Sequence, residues 1–407
     1  MNDARQKMKI LHVIASVDRR AGGPIEGIFQ LAAARAAQGH ETHIACSDRP
    51  DDPWVSNCPV PTFALGYSGG RYPRLRALMP WSRYGYTPYL VPWLRLHAPE
   101  YDVVIVDGLW NYAAFGARRA LSGNRVPYVV FTHGMLDPWF RKAYPVKHMI
   151  KQLFWWFSEG PLLANARATL FTAEDERVLA RGAFWPYRCN ERVVSHGIAD
   201  LTGDRQSQVE AFHAAVPTLG DRKFLLFLSR IHRKKGCDLL IEAFARLSRS
   251  QPDYDLVIAG PDQEGWRKAL EARSQALGIA ARVHWPGMLV GDAKWGAFRA
   301  CEAFILPSHQ ENFGIVVAEA MAAGRPVLIT NKINIWREVR NEGAGLVAED
   351  DERGICDLLD RYFALPLEER MLLGAGARQC FLRNFEIGQA SAKIDEAMRE
   401  ATRQCSH

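Results

Sequence analysis

The sequence lacks most of the signals that assign a chain quickly. Its eight cysteines (Cys46, Cys58, Cys189, Cys237, Cys301, Cys356, Cys380 and Cys405) are scattered. They form no CxxC pair and no Cys/His cluster at zinc-like spacing, so neither a zinc fold nor a metal cofactor is expected. No run approaches the roughly 18 apolar residues of a membrane-crossing helix. The opening MNDARQKMKILHVIA carries too few apolar residues for a signal-peptide core and reads as a first buried strand. The expected compartment is therefore the reducing cytoplasm, with free thiols. Internal repeats and low-complexity tracts are missing. So is a large charge: the net +6 is too small to argue for nucleic acid, though it suits phosphate-bearing substrates or an anionic membrane surface.

What is present is an ordinary globular balance, nearly half apolar and a quarter charged. At 407 residues, two or three domains are expected from a prior of roughly 150 residues each. Short apolar runs alternate with helix-length stretches. Strands are expected at 9–15, 42–46, 102–107, 128–132 and 169–172, then at 224–229, 255–260, 282–285, 303–307 and 326–330. Helices are expected at 24–38, 238–250, 266–276, 315–323 and 368–384. This alternation predicts α/β architecture, with parallel, doubly wound sheets in two Rossmann-like domains facing across a cleft. The boundaries read as an N-terminal Rossmann-like domain at 1–200, a linker at 201–222, a C-terminal Rossmann-like domain at 223–385, and a closing helix at 386–407 packing back on the N-terminal domain. The stretch from Ser47 to Trp93, rich in Pro, Gly, Tyr and Trp, reads as long loops with some strand. It is either part of a binding site or an irregular surface excursion.

Four segments carry candidate chemistry. In PSHQENFGIVVAEAMAAGRPVLIT, from Pro307, a strand leads into a loop with Glu311, then Gly314, then a helix from Ile315. Gly314 permits close backbone approach, and the free first-turn amides form an anion or hydroxyl site. Glu319 sits in an otherwise apolar run, where a carboxylate is costly without a partner. Sugar or ribose hydroxyls would serve, and so would a nearby arginine. Glu311 and Glu319, eight apart, would sit about 80° apart on one ideal helix. With Glu311 in the preceding loop, both can reach one ligand, unless Glu311 is simply a solvated loop residue. In FLLFLSRIHRKKG, Arg230 and Lys235 follow a strand and could flank a diphosphate; a solvated basic turn is the plainer alternative. In AGGPIEG, Gly22 and Gly23 precede a helix without the spacing of a dinucleotide fingerprint, which leaves a phosphate-hugging loop or a tight turn. In FTHGMLDPW, His133 follows a strand directly and could bond a sugar hydroxyl or phosphate, or serve as a structural histidine.

Together these segments resemble glycosyltransferase family 4, retaining enzymes of the GT-B fold, in a form common among bacterial polysaccharide-cluster enzymes. The two glutamates before and within a small-residue helix resemble its signature. LSRIHRKKG resembles its Arg…Lys phosphate motif, and FTHGMLDPW its His-Gly element. TAEDE, from Thr172, and VVSHGIAD are looser echoes. The resemblance implies sugar transfer from a nucleotide-sugar donor to a glycan or lipid-linked acceptor, in cell-surface polysaccharide synthesis. It implies that Arg230 and Lys235 hold the diphosphate, Glu319 the ribose, and Glu311 and His133 the transferred sugar. The amides of Asn312, Phe313, Gly314 and Ile315 would assist, with Gly22 and Gly23 approaching phosphate or acceptor. The stretch 285–288 would lie by the base. The family is thought to need neither a metal nor a dedicated base. Two departures stand out: Asp107 where many relatives carry His, and Ser195-His196-Gly197 where Pro-Asn-Gly is common. An epimerase or phosphorylase of the same fold and a non-catalytic sugar-nucleotide or glycan-binding module are the alternatives.

One further segment, YPVKHMIKQLFWWFSEGPLL, joins Lys142, Lys147 and Lys151 to Phe154, Trp155, Trp156 and Phe157. It is expected as a core helix packed on the N-terminal sheet. Peripheral contact with the inner face of the cytoplasmic membrane is the alternative.

Overall fold

The computed structural model describes residues 7–21, 23–67, 84–123, 126–139, 141 and 144–403. The chain divides into two compact units, Met1–Gly197 with Ile387–His407, and Ile198–Glu386.

The first unit is a seven-stranded parallel sheet. Its strands are β1 (Lys9–Ile14), β2 (Glu41–Cys46), β3 (Thr62–Ala64), β4 (Val103–Asp107), β5 (Tyr128–Phe131), β6 (Ala168–Phe171) and β7 (Glu191–Val193). They run in the order β3-β2-β1-β4-β5-β6-β7. β4, β5 and β6 are buried along their whole length, as strands covered on both faces must be. The helix Gly23–Ala37 follows β1, and Tyr112–Leu121 follows β4, capped by Asn111 on the Ala114 amide. The final helix, Ile387–Arg403, lays Ile394, Ala397, Met398 and Ala401 against Ile10, Val103, Val129 and Leu170. A fully buried ion pair of 3.1 Å, Arg35 to Asp395, ties it to Gly23–Ala37. The stretch 47–93 holds a short helix, Pro53–Ser56, then β3, then the start of helix Leu90–His97; residues 68–83 lie outside the described residues.

The second unit repeats the scheme with six parallel strands. They are β8 (Lys223–Leu228), β9 (Tyr254–Ala259), β10 (Val283–Gly287), β11 (Ala303–Leu306), β12 (Val327–Thr330) and β13 (Gly345–Ala348), ordered β10-β9-β8-β11-β12-β13. Residues 201–222, expected as a linker, are built into this unit instead. They hold the helix Arg205–Ala215, capped by Asp204, and a short turn at Pro217–Leu219. Phe212 and Leu219 are fully buried, and a Cβ on Gly296 would fall 1.9 Å from the Gln208 carbonyl. That close crossing with helix Gly291–Ala300 needs glycine. The polar residues between these anchors gave the stretch its linker-like composition.

Candidate functional site

In the second unit the sheet order reverses between β8 and β11, so the loops leaving their carboxyl ends diverge. Ligands of open α/β sheets bind at such a point. The loop after β8 carries Arg230 to Gly236, and the loop after β11 carries Pro307 to Gly314. The two are fastened together. His309 N–H donates to the Lys234 carbonyl at 2.8 Å. Gly236, at φ 64°, lies so close to the Pro307 carbonyl that a Cβ would fall 2.1 Å from it. This approach brings Lys235 onto Glu311 in a salt bridge. Glu311 is fixed from its other side, its amide on the Lys332 carbonyl and its carbonyl on the Asn334 amide. Asn334 also donates to Asn312 Oδ1 at 3.2 Å.

Gly314, at φ 75°, turns the chain into helix Ile315–Ala322. Val317 and Ala318 donate to the Gly314 carbonyl, so the Ile315 and Val316 amides have no acceptor within the helix. They are available to an anion beside Lys235 and Glu311. The Phe313 side chain is core, set edge-on to Phe385 at 5.4 Å, so only its backbone can serve a ligand.

Glu319 is buried on the same helix and pairs with Lys294, not with an arginine, at 2.6 Å. Its Oε2 has no hydrogen-bond partner among the described residues. Burial raises its carboxyl above the ordinary range, and Lys294 works against that. Oε2 can thus take a hydroxyl donor. Arg230 follows β8, on the same loop as Lys235. It is exposed, and its hydrogen bond goes to Gln263 at 3.2 Å, with no contact to Lys235 or Glu311 among the described residues.

The first unit gathers a second polar group at its own point of reversal, between β1 and β4. Asp107, at the end of β4, accepts from His12 Nδ1 on β1 at 2.7 Å and from His133 Nε2 at 3.0 Å. A carboxylate only accepts, so both imidazoles are the donors, and a neutral His133 keeps Nδ1 as an acceptor. Burial alone would raise the Asp107 carboxyl; the two histidines, His12 foremost, outweigh it and hold it at about 2. His133 sits in the left-handed region at φ 49° and stacks on Phe131 at 4.3 Å. Glu176 holds the turn beneath it, accepting from Thr132 Oγ1 and the Gly134 amide at 2.7 Å each, and from Thr172 through its other oxygen. His12, Asp107, His133 and His196 line one small cavity together with Gly27. Gly23 opens the helix Gly23–Ala37, and Gly22 lies outside the described residues.

Two family models match successive parts of the chain: "Glycosyl transferase 4-like domain" over residues 22–197 and "Glycosyl transferases group 1" over residues 208–379. The chain belongs to this glycosyltransferase family, of the family 4 type. The chain is 32% identical over 183 residues to the D-inositol 3-phosphate glycosyltransferase of Rhodococcus jostii, an alignment covering 44% of this chain and 40% of that relative. It is 31% identical over 185 residues to the phosphatidyl-myo-inositol mannosyltransferase of Mycobacterium leprae, covering 44% and 47%. It thus spans less than half the length of each of these relatives. The structure of Anabaena HepE in complex with UDP and glucose superposes with a TM-score of 0.72 at 17% identity, covering 96% of this chain and 99% of that one. The fold is GT-B.

Against the family signature, Lys294, His12, Asp107 and Glu176 are the residues that sequence reasoning left without a role. His12 and Glu319 share a recognisable signal, a titratable residue in an otherwise apolar run. The helix Pro145–Phe157 overturns its expected place in the core. Of its thirteen residues only Trp155 is buried, stacked on Phe184 at 5.0 Å with its indole donating to the Pro186 carbonyl. Val146, Met149 and Phe157 are about 70% exposed, and Ile150, Leu153, Phe154 and Trp156 about half. Lys147 is exposed between them, whereas Lys151 folds over the Trp110 ring at 4.5 Å; Lys142 lies outside the described residues. Among the described residues no helix is long and apolar enough to cross a membrane.

Proposed function

We propose that this chain transfers a sugar from a nucleotide-sugar donor to a glycan or lipid-linked acceptor, with retention of anomeric configuration. The Lys235–Glu311 pair, set against the free amides of Ile315 and Val316, carries this reading. A donor diphosphate there would meet an ammonium and two N–H dipoles, and Glu311 would be released to a sugar hydroxyl. The glycosidic C1–O bond to phosphate breaks as the acceptor oxygen attacks C1 from the same face. The acceptor proton passes to the departing phosphate oxygen. Lys235 and the amides stabilise the charge that develops there, a contribution typically of 10²–10³ in rate for one preorganised donor. The proposal needs no metal ion and no protein base. Glu319 Oε2 would accept from a ribose hydroxyl. His133 would contact the sugar through Nδ1. Arg230 would have to leave Gln263 to join the diphosphate.

The relatives' names, a D-inositol 3-phosphate glycosyltransferase and a phosphatidyl-myo-inositol mannosyltransferase, and the UDP and glucose in the HepE complex, support a nucleotide-sugar reading. The exposed apolar face of Pro145–Phe157 favours a lipid-linked acceptor, with the first unit resting on the inner face of the cytoplasmic membrane. That setting fits a step in cell-surface polysaccharide synthesis. The test is a thermal-shift and turnover screen against UDP-, GDP- and ADP-sugars. One donor should stabilise the fold and be slowly hydrolysed, with retained product on adding acceptor. If every donor leaves both melting and hydrolysis unchanged, the reading fails.

A further inference from the structure

Away from the donor site, the second unit holds a cavity of about 280 Å³ with strongly cationic walls. Arg205, Arg299, Arg325 and Arg378 line it, with Asp200 as the one carboxylate. Arg378 and Asp200 satisfy each other through a two-bond fork of 2.6 and 2.7 Å. The other three guanidiniums have no carboxylate within ion-pair distance among the described residues. They donate two side-chain hydrogen bonds between them, both to backbone carbonyls: Arg299 to Gly203, and Arg325 to Arg299. The Nε atoms of Arg299 and Arg325 are buried and lack a partner among the described residues. Arg299 acts at longer range on Asp200 and Asp204, whose hydrogen bonds go to other partners. Asp204 caps its helix through the Ser207 amide and hydroxyl, and Asp292 accepts from Gln208.

Helix capping explains only part of this. Arg378 donates to the Ala322 carbonyl at the end of helix Ile315–Ala322, where cations are favoured. It does not explain Arg205, which is exposed and adds a further positive charge to the same cavity. Each guanidinium offers five donors in a planar fork that matches phosphate oxygens. Unpaired guanidiniums around one cavity repel one another, and an anion turns that repulsion into attraction. The cavity is also distinct from the donor site. Glu311 and Gly314 stand at the start of helix Ile315–Ala322, and Ala322 and Ala323 line the cavity at its end, about 12 Å along the axis.

We propose that this cavity is a second anion site, which binds a phosphomonoester group separately from the donor diphosphate. The group could belong to a soluble sugar phosphate or to a phospholipid headgroup. The test uses the full chain at fixed ionic strength, with chloride replaced by inorganic phosphate or by glucose 6-phosphate, and binding read by calorimetry and melting. In a further arm, sedimentation with phosphatidic-acid vesicles is measured against neutral phosphatidylcholine vesicles. Phosphate should bind and raise the melting temperature above that in chloride. Arg205→Gln, at an exposed position, should melt normally without phosphate and weaken binding about tenfold. The double variant Arg299→Gln/Arg325→Gln should abolish it, and Lys235→Ala should leave it intact. With phosphate bound, a response to glucose 6-phosphate that Arg205→Gln reduces assigns a soluble ligand; sedimentation with phosphatidic-acid vesicles that Arg205→Gln reduces, without a response to glucose 6-phosphate, assigns a headgroup. Phosphate binding no stronger than chloride, or binding lost in Lys235→Ala and kept in Arg205→Gln, overturns the proposal.

Discussion

Lys235 and Glu311, 76 residues apart in the chain, close an ion pair where the loops after β8 and β11 diverge. The pair is unequal. The lysine side chain is 7% exposed and the glutamate 24%, so each leaves a different problem behind when its partner is removed. Glu311→Ala strands a nearly buried ammonium, at a cost of about 3 kcal/mol by the behaviour of broken buried pairs. Lys235→Ala leaves a carboxylate that reaches water, and costs less. Both variants should fold, and both should lose at least about 10² in turnover. Near-normal turnover in either, measured beside its melting curve, removes the assignment of this pair to the donor.

Glu319 and Lys294 give a second, separable test. Glu319→Gln keeps the shape but replaces one acceptor oxygen with an amide donor. Donor KM should rise about tenfold with kcat little changed, and a donor lacking the ribose hydroxyls should show no such difference. Lys294→Met should weaken donor binding more at low pH than at high. Burial already raises the Glu319 carboxyl, and Lys294 is what opposes that rise. A pH-independent loss would assign Lys294 to packing alone.

The sequence exposed the sheets well because parallel strands covered on both faces are continuous apolar runs. The missed strands, β3, β7 and β13, are three or four residues long and lie at or near sheet edges. The Lys235 and Glu311 loops were legible because each follows an unambiguous strand. The His12–Asp107–His133 group was not, because its members are brought together only by the pairing of β1 with β4 and of β4 with β5. Nothing local in KILHVIA or IVDGLW says that those two strands are neighbours. The helix Pro145–Phe157 misled for a different reason. Its aromatic content resembles a core helix, and composition does not tell which face is covered.

Asp107 offers a test in the first unit. Asp107→Asn replaces two acceptor oxygens by one acceptor and one donor, so one imidazole must lose its hydrogen bond or change tautomer. His133 is then no longer held in its left-handed conformation by that contact. We expect kcat to fall at least tenfold with donor affinity nearly unchanged, because the residues proposed for the diphosphate and ribose all lie in the second unit. A fall in kcat no larger than the accompanying loss of folded protein would give Asp107 a purely structural role.

The exposed face of Pro145–Phe157 predicts binding to anionic vesicles. Replacing Met149, Ile150 and Phe157 together by Ser removes three exposed apolar groups while leaving Trp155 in its pocket. Fully buried, such side chains contribute about 1.5–3 kcal/mol each, so even partial insertion makes the loss easy to detect. Melting should be unchanged or improved, and sedimentation with phosphatidylglycerol vesicles should disappear. Equal sedimentation of the wild type and the variant would exclude this face as the contact.

His196 should set the response of the first unit to acid. Burial, with His133 adding to it, holds its imidazole down to about 4 from an ordinary 6.5. The folded chain thus keeps it neutral where the unfolded chain takes up a proton. Its contribution is complete above pH 6.5 and is lost as pH falls towards 4, on the order of 3 kcal/mol. Glu159 acts in the opposite sense: burial raises its carboxyl to about 7, so its contribution is lost as pH rises from about 4.5. The measurement is therefore the difference between wild type and His196→Gln, which cancels Glu159. That difference should shrink steadily between pH 6.5 and 4. Gly27 is what admits the ring, since a Cβ there would lie 2.4 Å from His196 Cε1. Gly27→Ala should cost about 1–3 kcal/mol by overpacking, and His196→Ala in the same chain should recover most of it. If Gly27→Ala is equally costly with and without the imidazole, the ring is not what the glycine accommodates.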